Sequence, residues 1–480
     1  MTPRLLRLLR VAALVALAAA VPGLAHPRPG SAQEPRRLVL HPCTLPGFEE
    51  PLRCGTYTVF EDREARSGRT LDLHVVVAPA RSATPAPDAV WVLGGGPGQG
   101  AASLAAPLLS SLEGLRAHRD VVLMDQRGTG KSNPLTCPGG FGLLEPGHTA
   151  ELRACREELE RRADLRLYTT PLAVDDMDEV RAALGYRQVD LVGASYGTRA
   201  VQVYLKRHPA AVRSVVLRAV LPMGGNILVD GTRSADRELE RVLADCAAEA
   251  GCAAAFPRLQ AELDSLGRGL AAAPARVRVP SAGGATELEV TRGLFYQTLY
   301  ALLLSTQTRR QLPLLVHRAA TAGVQAVAPL IGQVRAATYG TVPVGMYLSV
   351  VCSEDAPRIT PGQARELRTG FGGFTAGIEE VCAGWPRGRL PAGYHDPVRT
   401  DLPVLLLSGA ADPGTAAGPA DAWARTLPNA LHVVFSATAH TPLFPGCGEE
   451  LVVRFVEAAS VAGLDGRCAG ELRWPPFAHP

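Results

Sequence analysis

The chain has 480 residues, 47% of them hydrophobic, which is enough for one domain with a large insertion or for two to three domains. Lysine and arginine number 49 against 46 acidic residues, and three of the arginines fall within the first 25 residues. The rest of the chain is therefore close to neutral, which argues against nucleic acid or an anionic membrane as its main partner.

The N-terminal segment has the pattern of a secretory signal peptide. A basic stretch, MTPRLLRLLR, precedes the apolar run VAALVALAAAV, and small residues follow at Gly23 and Ala25. We expect removal of residues 1–25, with cleavage as late as residue 32, and hence a secreted or periplasmic protein. The alternative is an uncleaved anchor, but the run is too short for a stable transmembrane span, and no later segment is apolar enough to cross a bilayer.

Alternating strand and helix patterns predict the first part of an α/β core in residues 33–221. Short apolar runs bounded by turns are typical of buried parallel strands, and strands separated by helices indicate right-handed βαβ units. We therefore expect a mostly parallel central sheet flanked by helices. The predicted elements are strands at 71–79, 89–95, 121–125, 189–192 and 214–220, and a helix at 175–186.

The glycine-rich turn after the strand at 89–95 is a candidate donor of a backbone hydrogen bond to a reacting carbonyl. Gly95 and Gly96 both qualify, and Gly96 is preferred, because glycine permits a close approach of the backbone. A flexible loop is the alternative. Phosphate binding is not indicated, since neither a GxGxxG nor a Walker pattern is present.

The strand at 189–192 leads into Gly-Ala-Ser-Tyr-Gly at the point where a helix begins. A serine between two glycines at such a turn is typical of a nucleophile elbow, because the tight turn leaves no room for side chains at positions 193 and 197. Ser195 is the candidate nucleophile, and an ordinary turn is the alternative. The next N–H, from Tyr196, lies at a helix N-terminus, where it can stabilise an oxyanion.

Residues 222–398 interrupt the α/β pattern. Helical patterns at 235–250 and 294–305 are separated by loops rich in glycine and proline, which predicts a mainly helical insertion. The α/β pattern returns in residues 399–480, the predicted C-terminal part of the core. It contains strands at 402–409 and 430–435 and helices at 421–427 and 451–460.

A serine hydroxyl needs a base and an orienting acid, which follow it in the order Ser, acid, His in this kind of fold. Asp412 and His440 each follow a predicted strand of the C-terminal part, where their side chains can reach over the sheet edge. Asp401 and Asp421 are worse placed, before a strand and inside a helix. The alternatives are a turn-forming Asp-Pro for Asp412 and a solvated loop histidine for His440.

The ten cysteines form an even set, and export makes disulfides the expected state. The sequence does not fix their connectivity, and the simplest pairing joins sequential neighbours into five short loops. A metal site is disfavoured, since no Cys-x-x-Cys is present and the histidines do not cluster near the cysteines. The disulfide candidates are Cys43, Cys54, Cys137, Cys155, Cys246, Cys252, Cys352, Cys382, Cys447 and Cys468.

Several motifs together resemble those of a known family. DQRGTGKS (125–132), GGGPG (94–98), GASYGT (193–198) and the motifs of Asp412 and His440 resemble the α/β-hydrolase peptidases, which include prolyl aminopeptidases and secreted tripeptidyl aminopeptidases. The resemblance runs from about residue 40 to 470. The chain departs from the family where Gly94 replaces a histidine and where Arg218-Ala219 replaces Asp-Gly. We expect neither departure to touch the triad.

The resemblance implies that the insertion is a cap over the active site and that cap carboxylates hold the free ammonium of the substrate. Glu354 and Asp355 are the best local match, and a surface acid pair beside a disulfide at Cys352 is the alternative. Asp125 and Arg127 are expected to brace the active-site loops rather than react.

The predicted function is a secreted serine aminopeptidase that releases one or a few residues from peptides with a free N-terminus. Neither a metal nor an organic cofactor is needed. An exported carboxylesterase with the same triad is the alternative, since specificity lies in the cap. A catalytically inactive binding protein is disfavoured by the intact Ser195, Asp412 and His440. The sequence leaves the residue preference, the number of residues released and the oligomeric state open.

Overall fold

A computed structural model describes residues 38–144, 147–281, 284–339, 342–373, 375–442 and 444–479. The predicted signal peptide, with either cleavage position, lies outside the described residues. Among those residues, no helix combines the length and the apolarity that a membrane span requires.

A nine-stranded sheet forms the centre of the described chain. The strands are β1 (His41–Leu45), β2 (Phe48–Phe60), β3 (Thr70–Ala78), β4 (Ala89–Leu93), β5 (Val121–Met124), β6 (Val189–Ala194), β7 (Val212–Arg218), β10 (Val404–Gly409) and β11 (Ala430–Phe435). Their order in the sheet is β1-β2-β3-β5-β4-β6-β7-β10-β11. The pairs from β5 through β4 to β11 are parallel, and β1, β2 and β3 join the sheet by antiparallel pairing.

Both faces of the inner parallel strands β4, β5, β6, β7 and β10 are buried, which explains their continuous apolar sequences. Residues such as Trp91 and Leu217 pack on one face with α2 (Thr149–Glu160), α3 (Thr170–Leu184) and α4 (Tyr196–Arg207). Their neighbours, such as Val92 and Val216, pack on the other face with α1 (Ala105–Ser111) and α15 (Gly448–Ala458). A further core helix, α14 (Ala417–Ala424), connects β10 to β11.

The sequence-based strand predictions from β3 onward are confirmed to within a few residues, but β1 and β2 were not predicted. The burial of β2 explains the difference. Only Leu52, Tyr57 and Val59 of its 13 residues are fully buried, and the others, which include Glu49, Glu50 and Arg53, are exposed or partly buried. A strand of this kind has no continuous apolar run, so hydrophobicity alone does not reveal it.

Between β7 and β10 the chain forms nine α-helices and one hairpin in the described residues. The hairpin, β8 (Ala275–Ser281) with β9 (Gly284–Val290), was not predicted. The helices are α5 (Ile227–Ala248), α6 (Ala250–Ala255), α7 (Leu259–Ala272), α8 (Arg292–Leu304), α9 (Leu312–Ala322), α10 (Ala328–Val334), α11 (Val344–Glu354), α12 (Pro361–Thr369) and α13 (Ile378–Ala383).

This region contributes to two hydrophobic clusters rather than one. Residues from Ala235 to Phe371 form a cluster of their own, which Phe477 from the C-terminal tail joins. Helix α11 is different, because Val344, Met346 and Leu348 belong to the cluster beneath the central sheet. Helix α11, which lies in the last third of the predicted cap by sequence, therefore packs as part of the core.

The five disulfides join sequential neighbours, which confirms the simplest pairing. Export had made disulfides the expected state, and the structure contains no free cysteine among the described residues. The pairs are Cys43–Cys54, Cys137–Cys155, Cys246–Cys252, Cys352–Cys382 and Cys447–Cys468.

Loop length sets the expected contribution of each disulfide to stability. Replacement of both Cys352 and Cys382, which are 30 residues apart, by alanine should lower the free energy of unfolding by about 3–4 kcal/mol. The same replacement at Cys246 and Cys252, which are 6 residues apart, should lower it by about 2 kcal/mol. Urea denaturation measures both values, and an equal or reversed order would contradict this chain-entropy argument.

Candidate active site

Ser195 occupies the turn between β6 and α4 in a strained backbone conformation. Its φ of 56° and ψ of −126° lie in a region that residues with side chains seldom adopt, at a typical cost of about 1–3 kcal/mol. Hydrogen bonds hold the turn on both sides. The Ser195 N–H donates to the Arg218 carbonyl at 2.9 Å, and its own carbonyl accepts from the Thr198 N–H at 2.9 Å.

The two glycines of the elbow are required by close backbone contacts. A Cβ atom at Gly193 would lie 2.7 Å from the Gly197 carbonyl oxygen, which agrees with the predicted collision across the turn. A Cβ atom at Gly197 would meet a different neighbour, since it would lie 2.4 Å from the Leu93 oxygen at the end of β4. The second glycine therefore lets α4 pack against the adjacent strand.

Asp412 lies in the loop after β10 and is held by several donors. One carboxylate oxygen accepts from the N–H groups of Gly414 at 2.8 Å and Thr415 at 2.9 Å, and the other accepts from the Thr415 hydroxyl at 2.8 Å. His440, in the loop after β11, places Nδ1 at 2.9–3.0 Å from the same carboxylate. With Nδ1–H donating to Asp412, the Nε2 atom of His440 is free to act as a base.

The charge state of Asp412 is set by opposing effects. Burial disfavours its ionised form, but the charge and hydrogen bond of His440, together with Arg218 and the Thr415 N–H, outweigh burial. The pKa of Asp412 is therefore lowered from its usual value. A carboxylate that stays ionised can both orient an imidazole and stabilise its protonated form.

The glycine-rich loop after β4 lies against the elbow. A Cβ atom at Gly95 would come within 3.3 Å of the Ser195 Cβ, and Gly96 has a φ of 106°, which favours glycine. Gly95, Gly96, Ser195 and His440 all line one cavity. Tyr196 is the first residue of α4, which places its N–H at the helix N-terminus beside Ser195. This placement is compatible with the predicted oxyanion donors.

Asp125 and Arg127 of the DQRGTGKS motif brace loops, as predicted. Asp125 accepts from the N–H groups of Ser103 at 3.2 Å and Lys131 at 2.9 Å, so it joins the segment after the glycine-rich loop to its own turn. The fully buried Arg127 donates to both oxygens of Asp176 on α3 at 2.6 and 2.8 Å. Neither side chain lines the cavity.

The expectation that Glu354 and Asp355 bind a substrate ammonium is not supported by their positions. Both side chains are completely buried, and neither lines the cavity. Glu354 accepts from the Thr170 N–H at 2.8 Å and the Thr170 hydroxyl at 2.9 Å, and Asp355 forms a two-pronged ion pair with Arg199 at 2.6 and 2.9 Å. Partners within the protein therefore already satisfy both carboxylates.

These two acids instead anchor the helix that follows the elbow. Arg199 lies on α4, one turn after Ser195, and its pairing with Asp355 ties α4 to α11. The Tyr196 hydroxyl lies 2.6 Å from the Thr170 hydroxyl, which in turn donates to Glu354. The pair that resembled a substrate anchor is thus a structural support for the proposed oxyanion donor.

The expectation that Arg218 leaves the triad untouched is wrong. Its buried guanidinium lies 3.9 Å from Asp412 Oδ2 and donates hydrogen bonds to carbonyls of the loop that carries His440. The next residue, Ala219, has a φ of 56°, so alanine adopts here a conformation that favours the glycine of the family pattern. The Arg-Ala pair therefore lies directly beneath the candidate site.

The cavity in front of Ser195 has a volume of about 710 Å³ and a neutral, mainly apolar wall. Among the described residues that line it there is no Asp, Glu, Lys or Arg. The insertion supplies Tyr300, Tyr347 and Phe371, which sequence reasoning did not identify, because an aromatic residue in a helix has no signature that separates a cavity wall from a core. The described residues contain no group of three or more His, Cys, Asp or Glu arranged to hold a metal ion.

Two protein families match the chain. The family described as "alpha/beta hydrolase fold" matches residues 88–252, and the one described as "TAP-like protein" matches residues 369–468. The first match includes the elbow, and the second includes the loops of Asp412 and His440. These matches confirm the α/β-hydrolase fold and the resemblance that the motifs indicated.

Three curated relatives are similar over part of their length. A tripeptidyl aminopeptidase of Streptomyces coelicolor is 29% identical, over 36% of this chain and 36% of the relative. One from Streptomyces lividans is 33% identical, over 21% and 22%. The serine protease Hip1 of Mycobacterium tuberculosis is 26% identical, over 33% and 35%. The chain thus spans about a third or less of the length of these relatives, all of which are named as peptidases.

Removal of the buried ion pair between Arg199 and Asp355 tests whether Asp355 has a structural or a substrate-binding role. Asp355→Ala should lower the free energy of unfolding by about 3–5 kcal/mol, because it leaves the buried Arg199 without its carboxylate. Urea denaturation measures the loss. Glu366→Gln, which removes the exposed partner of Arg233, is the control and should cost less than about 1 kcal/mol. A stable Asp355→Ala protein with only a raised KM would restore the substrate-binding interpretation.

The lowered pKa of Asp412 predicts the acid side of the pH–activity profile. The charge of Asp412 is present above the usual carboxyl pKa of about 3.9 and is lost only as the pH falls through its lower folded-state value. Between neutrality and about pH 4, log(kcat/KM) should therefore fall with a slope no steeper than one, since Asp412 keeps its charge there and adds no second protonation. A slope of two in this range would show that Asp412 takes up a proton with the base.

Proposed function

We propose that this α/β-hydrolase-fold protein, a serine hydrolase of the peptidase type, is an aminopeptidase that removes short segments from peptide N-termini through an acyl-enzyme. Ser195 Oγ attacks the carbonyl of the scissile bond while His440 Nε2 takes its proton. The N–H groups of Gly96 and Tyr196 stabilise the oxyanion, and Asp412 orients His440 and stabilises the imidazolium.

Collapse of the tetrahedral intermediate breaks the C–N bond, and His440 returns the proton to the leaving amine. Water then attacks the acyl-enzyme with His440 again as base, which releases the N-terminal segment and restores Ser195. The hydrogen bond between His440 and Asp412 at 2.9–3.0 Å, beside a serine that lines the cavity from an elbow, is the observation that carries this proposal.

The neutral cavity favours release of a few residues rather than one. In a single-residue acyl group the ammonium is bonded to the carbon next to the reacting carbonyl, so a counter-charge would have to lie beside Ser195. No acid lines the cavity there among the described residues. Each further residue moves the ammonium by up to about 3.3–3.6 Å, so an acyl segment of two or three residues carries it out of the apolar region.

Asp236 is the acid that we propose for the ammonium. It directly follows Ala235 on α5, which lines the cavity together with Thr232 one turn earlier, and it accepts from the N–H of another cavity-lining residue, Phe371, at 2.6 Å. Burial, together with the nearby Glu240 and Glu366, raises the pKa of Asp236. A half-buried carboxylate among like charges is stabilised by a cation.

A carboxylesterase is the second candidate, and the same cavity favours it. An apolar wall without charged side chains suits an uncharged acyl group as well as it suits a peptide. The triad chemistry is the same for both substrates, so the difference lies in recognition of the free amine.

We also propose that the protein acts outside the cytoplasm. Five disulfides among the described residues support this, because such bonds form and persist in oxidising compartments.

The test compares four substrates with the purified protein: Ala-Ala-Pro-nitroanilide, its N-acetylated form, Pro-nitroanilide and a short-chain nitrophenyl ester. We expect the free tripeptide substrate to be cleaved fastest and Ser195→Ala to be inactive. Asp236→Asn should reduce the preference for the free amine over the acetylated form by about 5- to 10-fold, as expected for loss of one partly exposed charged hydrogen bond. Glu240→Gln, one turn further along α5, is the matched control.

The outcomes separate the candidates. Equal cleavage of the free and acetylated peptides would exclude an aminopeptidase and leave a general peptidase. Fastest cleavage of Pro-nitroanilide would contradict release of longer segments. Hydrolysis of the ester alone, lost in Ser195→Ala, would establish the carboxylesterase.

A further inference from the structure

Arg218 ends strand β7 between β6 and β10, at the edge of the sheet where Ser195, Asp412 and His440 meet. It is completely buried, and its side chain points into the loops of the C-terminal part. The family often has Asp-Gly near this position, so the resemblance to known peptidases assigns no role to an arginine here. Its contacts in this chain therefore require a separate account.

The guanidinium holds the loop that carries His440. Nη2 donates to the carbonyl oxygens of Ala439 at 2.9 Å, His440 at 3.0 Å and Pro442 at 3.3 Å. From the side of the insertion, the same loop is held by Thr306, whose N–H and hydroxyl donate to the Thr441 carbonyl at 3.1 and 2.7 Å. The loop has no helix or strand of its own, so these contacts set its position.

The same residue reaches the other two members of the triad. Nη1 lies 3.9 Å from Asp412 Oδ2, and the backbone carbonyl accepts the Ser195 N–H at 2.9 Å. Arg218 is thus in contact with the segments of the proposed nucleophile, base and acid.

The charge of Arg218 fits this location. Burial lowers its pKa to about 10, while Asp412 opposes the shift, so the guanidinium is still a cation at neutral pH. A completely buried cation requires nearby negative charge and acceptors, which Asp412 and the three carbonyls supply. By contrast, the buried Arg127 and Arg199 each donate two hydrogen bonds to one carboxylate, in addition to their bonds to backbone carbonyls.

We propose that Arg218 is a positioning residue, which fixes the His440 loop and Asp412 relative to Ser195; this inference rests on the proposed triad. The rigid guanidinium places Nη2 against the carbonyls of the His440 loop and Nη1 near Asp412 at the same time, a geometry that lysine cannot reproduce, because its ammonium is a single point charge. A small displacement of His440 would then lower the rate without altering the cavity that binds substrate.

The experiment compares Arg218→Met and Arg218→Lys in the full-length protein. The first readout is the rate at which a fluorophosphonate labels Ser195, which requires the triad but no peptide specificity. The second is kcat and KM for the preferred substrate across pH. The third is the far-downfield proton signal of His440 Nδ1–H, identified by its absence from His440→Gln. Arg119→Met is the control, since Arg119 is also buried, with 6% of its surface exposed, but it lies before β5 and pairs with Asp88 before β4, at the opposite end of the parallel strands.

We expect Arg218→Met to lower the labelling rate and kcat by about 10- to 100-fold, as displacement of a base by a fraction of an ångström does, with KM little changed. The steeper part of the acid limb, below about pH 4 in the wild type, should begin at a higher pH, because Asp412 loses a neighbouring positive charge that lowers its pKa. Arg218→Lys should keep the acid limb in place and still label slowly. Arg119→Met should change none of these readouts.

A folded Arg218→Met protein with the labelling rate and acid limb of the wild type would overturn the proposal. If Arg218→Met fails to fold, Arg218→Lys tests the proposal instead. A wild-type labelling rate in that variant would show that the shape of the guanidinium is not required. Absence of labelling in the wild type would instead refute Ser195 as nucleophile. In that case the His440 proton signal still tests Arg218, and an unchanged signal in Arg218→Lys would overturn its positioning role.

Discussion

The backbone of Ser195, with a φ of 56°, is the constraint on which the rest of the site depends. A non-glycine residue persists in this conformation only when the surrounding structure holds it there. Here the carbonyl of Arg218 fixes the N–H of Ser195, the Thr198 N–H fixes its carbonyl, and glycines at 193 and 197 allow the adjacent backbone segments to touch. The strain stored at one residue is thus balanced by contacts from β4, β7 and α4.

The helix after the elbow is fixed in turn by charges buried beneath it. Arg199 pairs with Asp355 on α11, and the Tyr196 hydroxyl joins Thr170 and Glu354. Truncation of either partner in such a pair would leave an uncompensated charge in the interior, so the network favours one position of α4 over others. Helix α11, although it lies within the insertion by sequence, therefore acts as part of the foundation of the site.

The insertion has a second effect, because its aromatic side chains close the cavity over Ser195. Tyr300 and Tyr347 are partly buried in the wall, and the burial of their hydroxyl groups raises the pKa of both, so they stay neutral over the physiological range. A neutral wall excludes water and strengthens the hydrogen bonds of the oxyanion donors proposed at Gly96 and Tyr196. The same neutrality moves recognition of a charged N-terminus away from the reacting carbon.

The sequence by itself determined the strands of the central sheet from β3 onward, the elbow at Ser195, and the positions of Asp412 and His440 at strand ends. Each of these depends on local patterns: continuous apolar runs, glycine spacing and loop position. The strands β1 and β2, the hairpin of β8 and β9, the roles of Glu354, Asp355 and Arg218, and the cavity wall were decided only by the tertiary structure. A charged residue has the same local sequence whether it faces a substrate or a buried partner, and only packing between distant segments, such as Asp355 with Arg199 or Arg218 with the His440 loop, distinguishes the two.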